Sequence, residues 1–246
     1  MRNGRNATLK PAKMGGAMNK KEKIIDRAIG LSGAKTSMTE PCASCGEKCC
    51  NRFAVPITGF DMLRIMRRLD CEPDEFCELD EAKYIQSAPH STVFIFDKHG
   101  QMSERLLILK RLKTNYCIFS RHSNGCAIWG YHPMACKAYP FAFVGKEADG
   151  TDKIGYTRNF VCPRLWQKGE YDEGKVRQVL DAMEMEMAEH NRIVREWNAT
   201  RSKDGDEKGF FKFLIGQSGK KMALWEKKER PDTQKMPSLG PKRGYM

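Results

Sequence analysis

Cys42-Ala-Ser-Cys45-Gly-Glu-Lys-Cys49-Cys50 places four thiols within nine residues, and the rest of the chain reads as a scaffold for them. A Cys-x2-Cys pair brings two sulfurs within reach of one ion, because a tight knuckle turns both side chains to the same side. Thiolates are soft donors suited to Zn2+ or iron–sulfur clusters. Gly46 fits such a turn, where positive φ is accommodated. Cys49 and Cys50 are adjacent and point in different directions. One is therefore expected to complete a site with Cys42 and Cys45, while the other reaches a second site or stays buried.

A second group lies further on, at Cys117, Cys126, Cys136 and Cys162. Eight candidate thiols allow two four-cysteine sites, or one cluster with structural thiols beside it, and His122 or His132 are possible substitutes. The remaining pair, Cys71 and Cys77, lies within or beside amphipathic segments and reads as core, since a thiol without a metal behaves as a small hydrophobe. Ten cysteines in a chain with no apolar leader segment point to a reducing, cytoplasmic setting, where metal ligation or redox chemistry is a commoner use than structural disulfides. No apolar run approaches the ~18 residues of a membrane span.

Flanking the first knuckle, Phe53 to Ile57 is a short extended piece. Thr58-Gly-Phe-Asp61 then reads as a capping box, in which a hydroxyl and an acid three residues on satisfy amides at a helix start. The helix it opens, about Gly59 to Leu69, buries Phe60, Leu63, Ile65 or Met66, and Leu69, and exposes Arg64, Arg67 and Arg68. Pro73 starts another, expected to run through Phe76, Leu79 and Ala82 to about Ile85. Three hairpins follow by their turn chemistry. Ser91–Asp97 pairs with Arg105–Lys113 across Lys98-His-Gly100. Tyr116–Ser120 pairs with Ala127–Trp129 around Ser123-Asn124-Gly125. Tyr139–Val144 pairs with Ile154–Phe160 across Ala148-Asp149-Gly150. Gly174 to about Ala199 is the longest helix, with Val176, Val179, Leu180, Met183, Met187, Ile193, Val194 and Trp197 at a 3.6 period. Gly209 to Ile215 is a short apolar segment able to pack on the core.

These elements make an α+β chain. Residues 38–200 form a small cysteine-rich metal-binding domain of short β-hairpins and packed helices. Residues 1–37 form a basic N-terminal extension, disordered apart from a short helix at Lys21–Leu31. Residues 201–246 form a C-terminal extension ending in a disordered tail. The net charge of +12 is concentrated at the ends: residues 1–23 carry +6 and residues 219–246 carry +5. Solvated tails are the plain reading of that charge; docking on nucleic acid or on an acidic protein partner is the functional one.

Two blocks resemble a known family. The first is the knuckle with Phe53-Ala-Val-Pro-Ile-Thr58 and Asp61-Met-Leu-Arg64. The second is Cys117-Ile-Phe, Gly125-Cys126-Ala-Ile-Trp129 and His132-Pro133-Met-Ala-Cys136-Lys-Ala-Tyr139-Pro140-Phe141. Over about residues 42 to 164 the chain is similar to the CxxCxxCC zinc- or iron-chelating domain family, the YkgJ-type cysteine-cluster proteins. It differs in having three residues, not two, between Cys45 and Cys49. The resemblance implies a cytosolic metal-cluster domain. With the spacing, it makes Cys42, Cys45, Cys49, Cys50, Cys117, Cys126, Cys136 and Cys162 the metal ligands, with a 4Fe–4S cluster favoured over Zn2+. Its expected role is electron transfer, metal handling or assembly. One branch, the flagellin lysine-N-methylases, implies the alternative of a methyl-transferring enzyme, although no glycine-rich methyl-donor loop is visible here. A zinc-stabilised module whose basic tails contact a partner is the third reading.

Overall fold

In a computed structural model, which describes residues 24, 48–81, 90–97, 99–121, 125–158, 160–162, 169–200 and 205–227, the capping box at Thr58 forms. Thr58 is extended and its Oγ1 accepts the Asp61 amide at 3.1 Å, while Asp61 Oδ2 accepts the Thr58 amide at 3.0 Å. The helix it starts, α2 (Gly59–Leu69), follows a short α1 (Lys48–Arg52) and ends at Asp70, whose left-handed backbone turns its amide back onto the Met66 carbonyl. Phe60, Leu63, Ile65 and Leu69 are buried as the periodicity requires. Arg64 is not exposed as expected; it too is buried, because two carboxylates meet it inside the protein.

The expected helix from Pro73 is cut short. A single turn, α3 (Pro73–Phe76), gives way to strand β1 (Cys77–Glu81). Cys77-Glu-Leu-Asp-Glu81 contains good helix formers, but its alternation buries Cys77 and Leu79 on one face, and pairing decides its state. The partner is β3 (Met102–Leu109), which also pairs with β2 (Val93–Phe96) to give a three-stranded antiparallel sheet in the order β1-β3-β2. Cys77 faces Leu109 and Val93 faces Arg105. Along β3, burial alternates up to Arg105 and is then continuous from Leu106 to Leu109. Over that second half, β1 takes one edge of β3 and the Val55–Ile57 segment takes the other. Ile57 N donates to Leu107 O at 3.1 Å and Leu109 N to Val55 O at 3.0 Å.

The Ala148-Asp149-Gly150 hairpin forms as expected, from β4 (Phe141–Lys146) and β5 (Asp152–Tyr156), with Gly150 at φ +84°. Among the described residues of 116–129 no strand pair forms. Ser120 and Cys126 make one bridge, and tight turns follow Cys117 and Cys126.

The longest helix, α5 (Glu173–Thr200), opens on Asp172, whose carboxylate accepts the Lys175 amide at 3.1 Å. At ~1.5 Å per residue it spans roughly 42 Å. That length lets it pack Val176, Val179 and Leu180 with Phe141 and the short helix α4 (Met134–Ala138), and Ile193, Val194 and Trp197 with the main core. Its far end also closes the edge of β2. Asn198 accepts the Phe94 amide at 2.9 Å and donates to Thr92 O at 2.8 Å, and Trp197 Nε1 donates to Phe94 O at 3.0 Å. The apolar segment at Gly209–Ile215 is one part of a longer helix, α6 (Glu207–Lys227), capped by Asp206. Phe210, Phe211 and Leu214 bring it into the main core. Among the described residues no helix is long and apolar enough to cross a membrane. The N-terminal helix expected at Lys21–Leu31 lies outside the described residues except for Ile24, which is helical and fully buried; the C-terminal tail beyond Lys227 lies outside them too.

Candidate metal centre

Three backbone devices carry five of the described cysteines, Cys49, Cys50, Cys117, Cys126 and Cys136. Cys49 and Cys50 stand in α1, and Cys50 O accepts the Cys117 amide at 2.8 Å, which straps the first knuckle to the second group. Arg111 reinforces the strap by donating to Asn51 O and Asn115 O. Cys117 and Cys126 each open a tight turn of the same form. Ser120 N donates to Cys117 O at 2.9 Å and Trp129 N to Cys126 O at 3.2 Å. Each is followed by two fully buried residues, Ile118 and Phe119 after the first, Ala127 and Ile128 after the second. Those apolar anchors fix the turns, and Gly125 at φ +83° supplies the bend between them. Cys136 sits in the short helix α4, its amide donating to Pro133 O at 2.9 Å.

These segments converge. The Cys50 thiol is pushed up by its hydrogen bond with Cys49, by burial, and by the proximity of Cys49, Cys136 and Cys126. Burial pushes the Cys136 thiol up as well, followed by Cys117, Cys126, Cys49 and Asp61. Cys49, Cys50, Cys117, Cys126 and Cys136 thus share one electrostatic neighbourhood although they come from three parts of the chain. All the described cysteines stand as thiols, with no disulfide among the described residues. Crowded thiols oppose one another's ionisation; a bound cation reverses that sign and favours the thiolates. The donor chemistry therefore fits a thiophilic metal. Among the described residues no group of three or more Cys, His, Asp or Glu side chains is drawn together as an ion would require. The knuckle's first two thiols, Cys42 and Cys45, lie outside the described residues, as does His122.

Cys162 packs beside the second core, and it acts on Tyr139 as Cys49 does. Tyr139 holds its ring edge-on to Phe53 at 6.0 Å, and its hydroxyl accepts the Val161 amide at 2.7 Å. His132 is buried and stacked on Trp129, and its Nδ1 accepts the Gly130 amide at 3.1 Å. Burial, and then Lys137, push it down to about 3, so the ring is neutral. Cys71 and Cys77 are buried in the main core, with the Cys77 thiol donating to Pro73 O at 3.0 Å.

Next to the cysteines lies a buried polar cluster that the sequence reading missed. Arg64 donates through both terminal nitrogens to Glu186 of α5, at 2.8 and 2.7 Å, and through Nη2 to Asp61 at 2.5 Å. Burial opposes ionisation of Asp61, but Arg64 and the Thr58 and Met134 amides outweigh it and hold the carboxyl below its usual range. His190 lies one turn beyond Glu186. Its Nδ1 accepts the Gly59 amide at 3.4 Å, and its ring meets His90 edge-on at 5.8 Å. Burial and the neighbouring His90 push His190 down to about 3. The signal for this cluster was present in the sequence. Glu186 and His190 fall on the same helical stripe as Val179, Ala182, Ile193 and Trp197, where a polar residue must find a buried partner.

Compared with known proteins, the chain matches the family model CxxCxxCC, described as a putative zinc- or iron-chelating domain, over residues 41–163, half of its length. No curated protein and no solved structure matches it.

Proposed function

Since the chain belongs to the CxxCxxCC family of zinc- or iron-chelating domains, we propose that it holds a thiolate-bound metal centre, an iron–sulfur cluster ahead of zinc, and works in the cytoplasm in electron transfer, metal handling or assembly. The observation that carries this reading is that Cys49, Cys50, Cys117, Cys126 and Cys136 come from three chain segments tied by the Cys117 amide bond to Cys50 O at 2.8 Å and act on one another electrostatically. With Cys42 and Cys45 these are more thiols than one tetrahedral zinc needs. Zinc and a 4Fe–4S cluster each take four thiolates, so the surplus leaves room for a second site; we place a 4Fe–4S cluster first and leave Cys162 as a ligand of the same or a second site.

The protein's own part is to collect and shield the donors. Ile118, Phe119, Ala127 and Ile128, all fully buried, follow Cys117 and Cys126 in the chain, and Phe53 packs edge-on against Tyr139. When bound, an iron–sulfur cluster would supply one-electron chemistry, and zinc would supply a structural clamp or a Lewis acid. The buried surroundings and the hydrogen bonds at sulfur would set the potential of the former. The test is iron, zinc and acid-labile sulfide content, with a visible spectrum, on protein purified without oxygen. Iron with matching sulfide is the expected result. Stoichiometric zinc without sulfide would replace the cluster by a zinc site, and no metal at all would overturn the proposal.

A further inference from the structure

The short helix that carries Cys136 begins on a residue that cannot cap it. Pro133 occupies the N-cap of α4 and makes no side-chain hydrogen bond there. The first amide of the helix, Met134 N, is satisfied from elsewhere, by Asp61 Oδ1 at 2.9 Å. That same oxygen accepts Arg64 Nη2 at 2.5 Å, and Arg64 is held in turn by both oxygens of Glu186. Asp61, Arg64 and Glu186 are all buried, so none of these bonds competes with water. An unbroken path of charge-assisted hydrogen bonds therefore runs from α5, through α2, to the turn bearing Cys136.

We propose that Arg64 and Glu186 are positioning residues for the metal centre: they fix the Asp61 carboxylate, which docks α4 and sets where the Cys136 thiol points. The inference rests on the metal-binding reading above. The rival account is that Met134 and Ala138, both buried against Val176 and Val179, seat α4 by apolar packing alone. In that case the ionic path would matter only to stability.

The Arg64→Met/Glu186→Leu double variant separates the two. It removes one positive and one negative charge, so no net formal charge is introduced beside Cys136. It also leaves Asp61 with its Thr58 and Met134 partners. Co2+ is titrated into the metal-depleted full chain, and both affinity and the ligand-field and thiolate-to-metal bands are recorded. Trp197→Phe, which loosens the core away from α4, serves as a stability control. The expected result is at least tenfold weaker Co2+ binding with shifted ligand-field bands in the double variant, and an unshifted spectrum in the control. Wild-type affinity and bands in a folded double variant would overturn the positioning role and leave the metal reading standing. Absence of Co2+ binding by the wild-type chain would overturn both. Should the double variant not fold, Glu186→Gln keeps the side-chain shape and one acceptor oxygen. It should shift the bands in the same direction, and an unshifted spectrum would overturn the proposal.

Discussion

Gly59 and Ser218 approach so closely that a β-carbon on Gly59 would stand 2.2 Å from Ser218 Oγ, and 2.8 and 2.9 Å from two carbons of Leu214. This is where α2 meets α6, so a single hydrogen atom sets the spacing between two helices. The first turn of a helix normally gains from replacing glycine by alanine; here overlap with a packed neighbour outweighs that gain. Gly59→Ala should destabilise the chain by about 1–3 kcal/mol in urea denaturation. Among the described residues Ser218 Oγ is buried without a hydrogen-bond partner, so Ser218→Ala alone should be neutral or stabilising by about 1 kcal/mol. The penalty of Gly59→Ala should shrink in the Ser218→Ala background; additive effects would show that the two residues are not coupled.

Arg64 neutralises one of the two carboxylates it touches, and all three groups are nearly inaccessible to water. Arg64→Met alone strands Glu186 and weakens the hold on Asp61, and should cost about 3–5 kcal/mol. Adding Glu186→Leu removes the stranded carboxylate and should recover most of that loss, because a buried ion pair and a packed apolar pair are often of similar stability. A complete set of the two single variants and the double variant, measured by denaturation, gives the coupling directly. A double variant as unstable as the sum of its parts would contradict the ion-pair account.

His132 and His190 are both held neutral by burial, at about 3, against an ordinary value of 6.5. Between those values the unfolded chain binds more protons than the folded one, so stability rises with pH across the window. It is complete above about pH 6.5 and falls as the pH drops toward 3, at about 1.4 kcal/mol per pH unit for each histidine titrating only when unfolded. Metal-depleted protein should therefore lose stability steeply from pH 6.5 to 4. Burial holds His90 down as well, so His190→Gln should flatten the slope by less than half; a slope unchanged by that substitution would remove His190 as its source.

What was legible in the sequence was what local chemistry decides. Thr58 and Asp61 are three residues apart and define the start of α2 by themselves, and Gly150 dictates its hairpin in the same way. The amphipathic stripe of α5 is long enough to announce itself. The strand at Cys77–Glu81 was not legible, because its residues favour a helix until β3, beyond two intervening segments, offers a pairing edge. Arg64 looked like a third exposed arginine beside Arg67 and Arg68, since its partner Glu186 is 122 residues away. The cysteines were legible as a set from their spacing. That Cys117 and Cys126 would share one turn geometry, and that Asp61 would cap the helix bearing Cys136, depended on contacts between distant segments.

Protons provide the last prediction. The thiols of Cys50 and Cys136 are raised by burial and by their neighbours, so both carry their protons at neutral pH when no metal is bound. A metal ligated by these sulfurs must displace those protons, which makes binding proton-releasing and tighter as the pH rises. Calorimetric titration of Zn2+ into the metal-depleted chain, repeated in buffers of different ionisation enthalpy, counts the protons released per ion. Cys136→Ser should lower that count by about one and weaken binding, since a serine hydroxyl is a far poorer ligand for a soft ion. Cys77→Ser should leave the count and the affinity unchanged while lowering stability by about 1 kcal/mol, because its thiol lies in the core and bonds to Pro73. Equal loss of protons from both variants would refute the division between ligand and core cysteines.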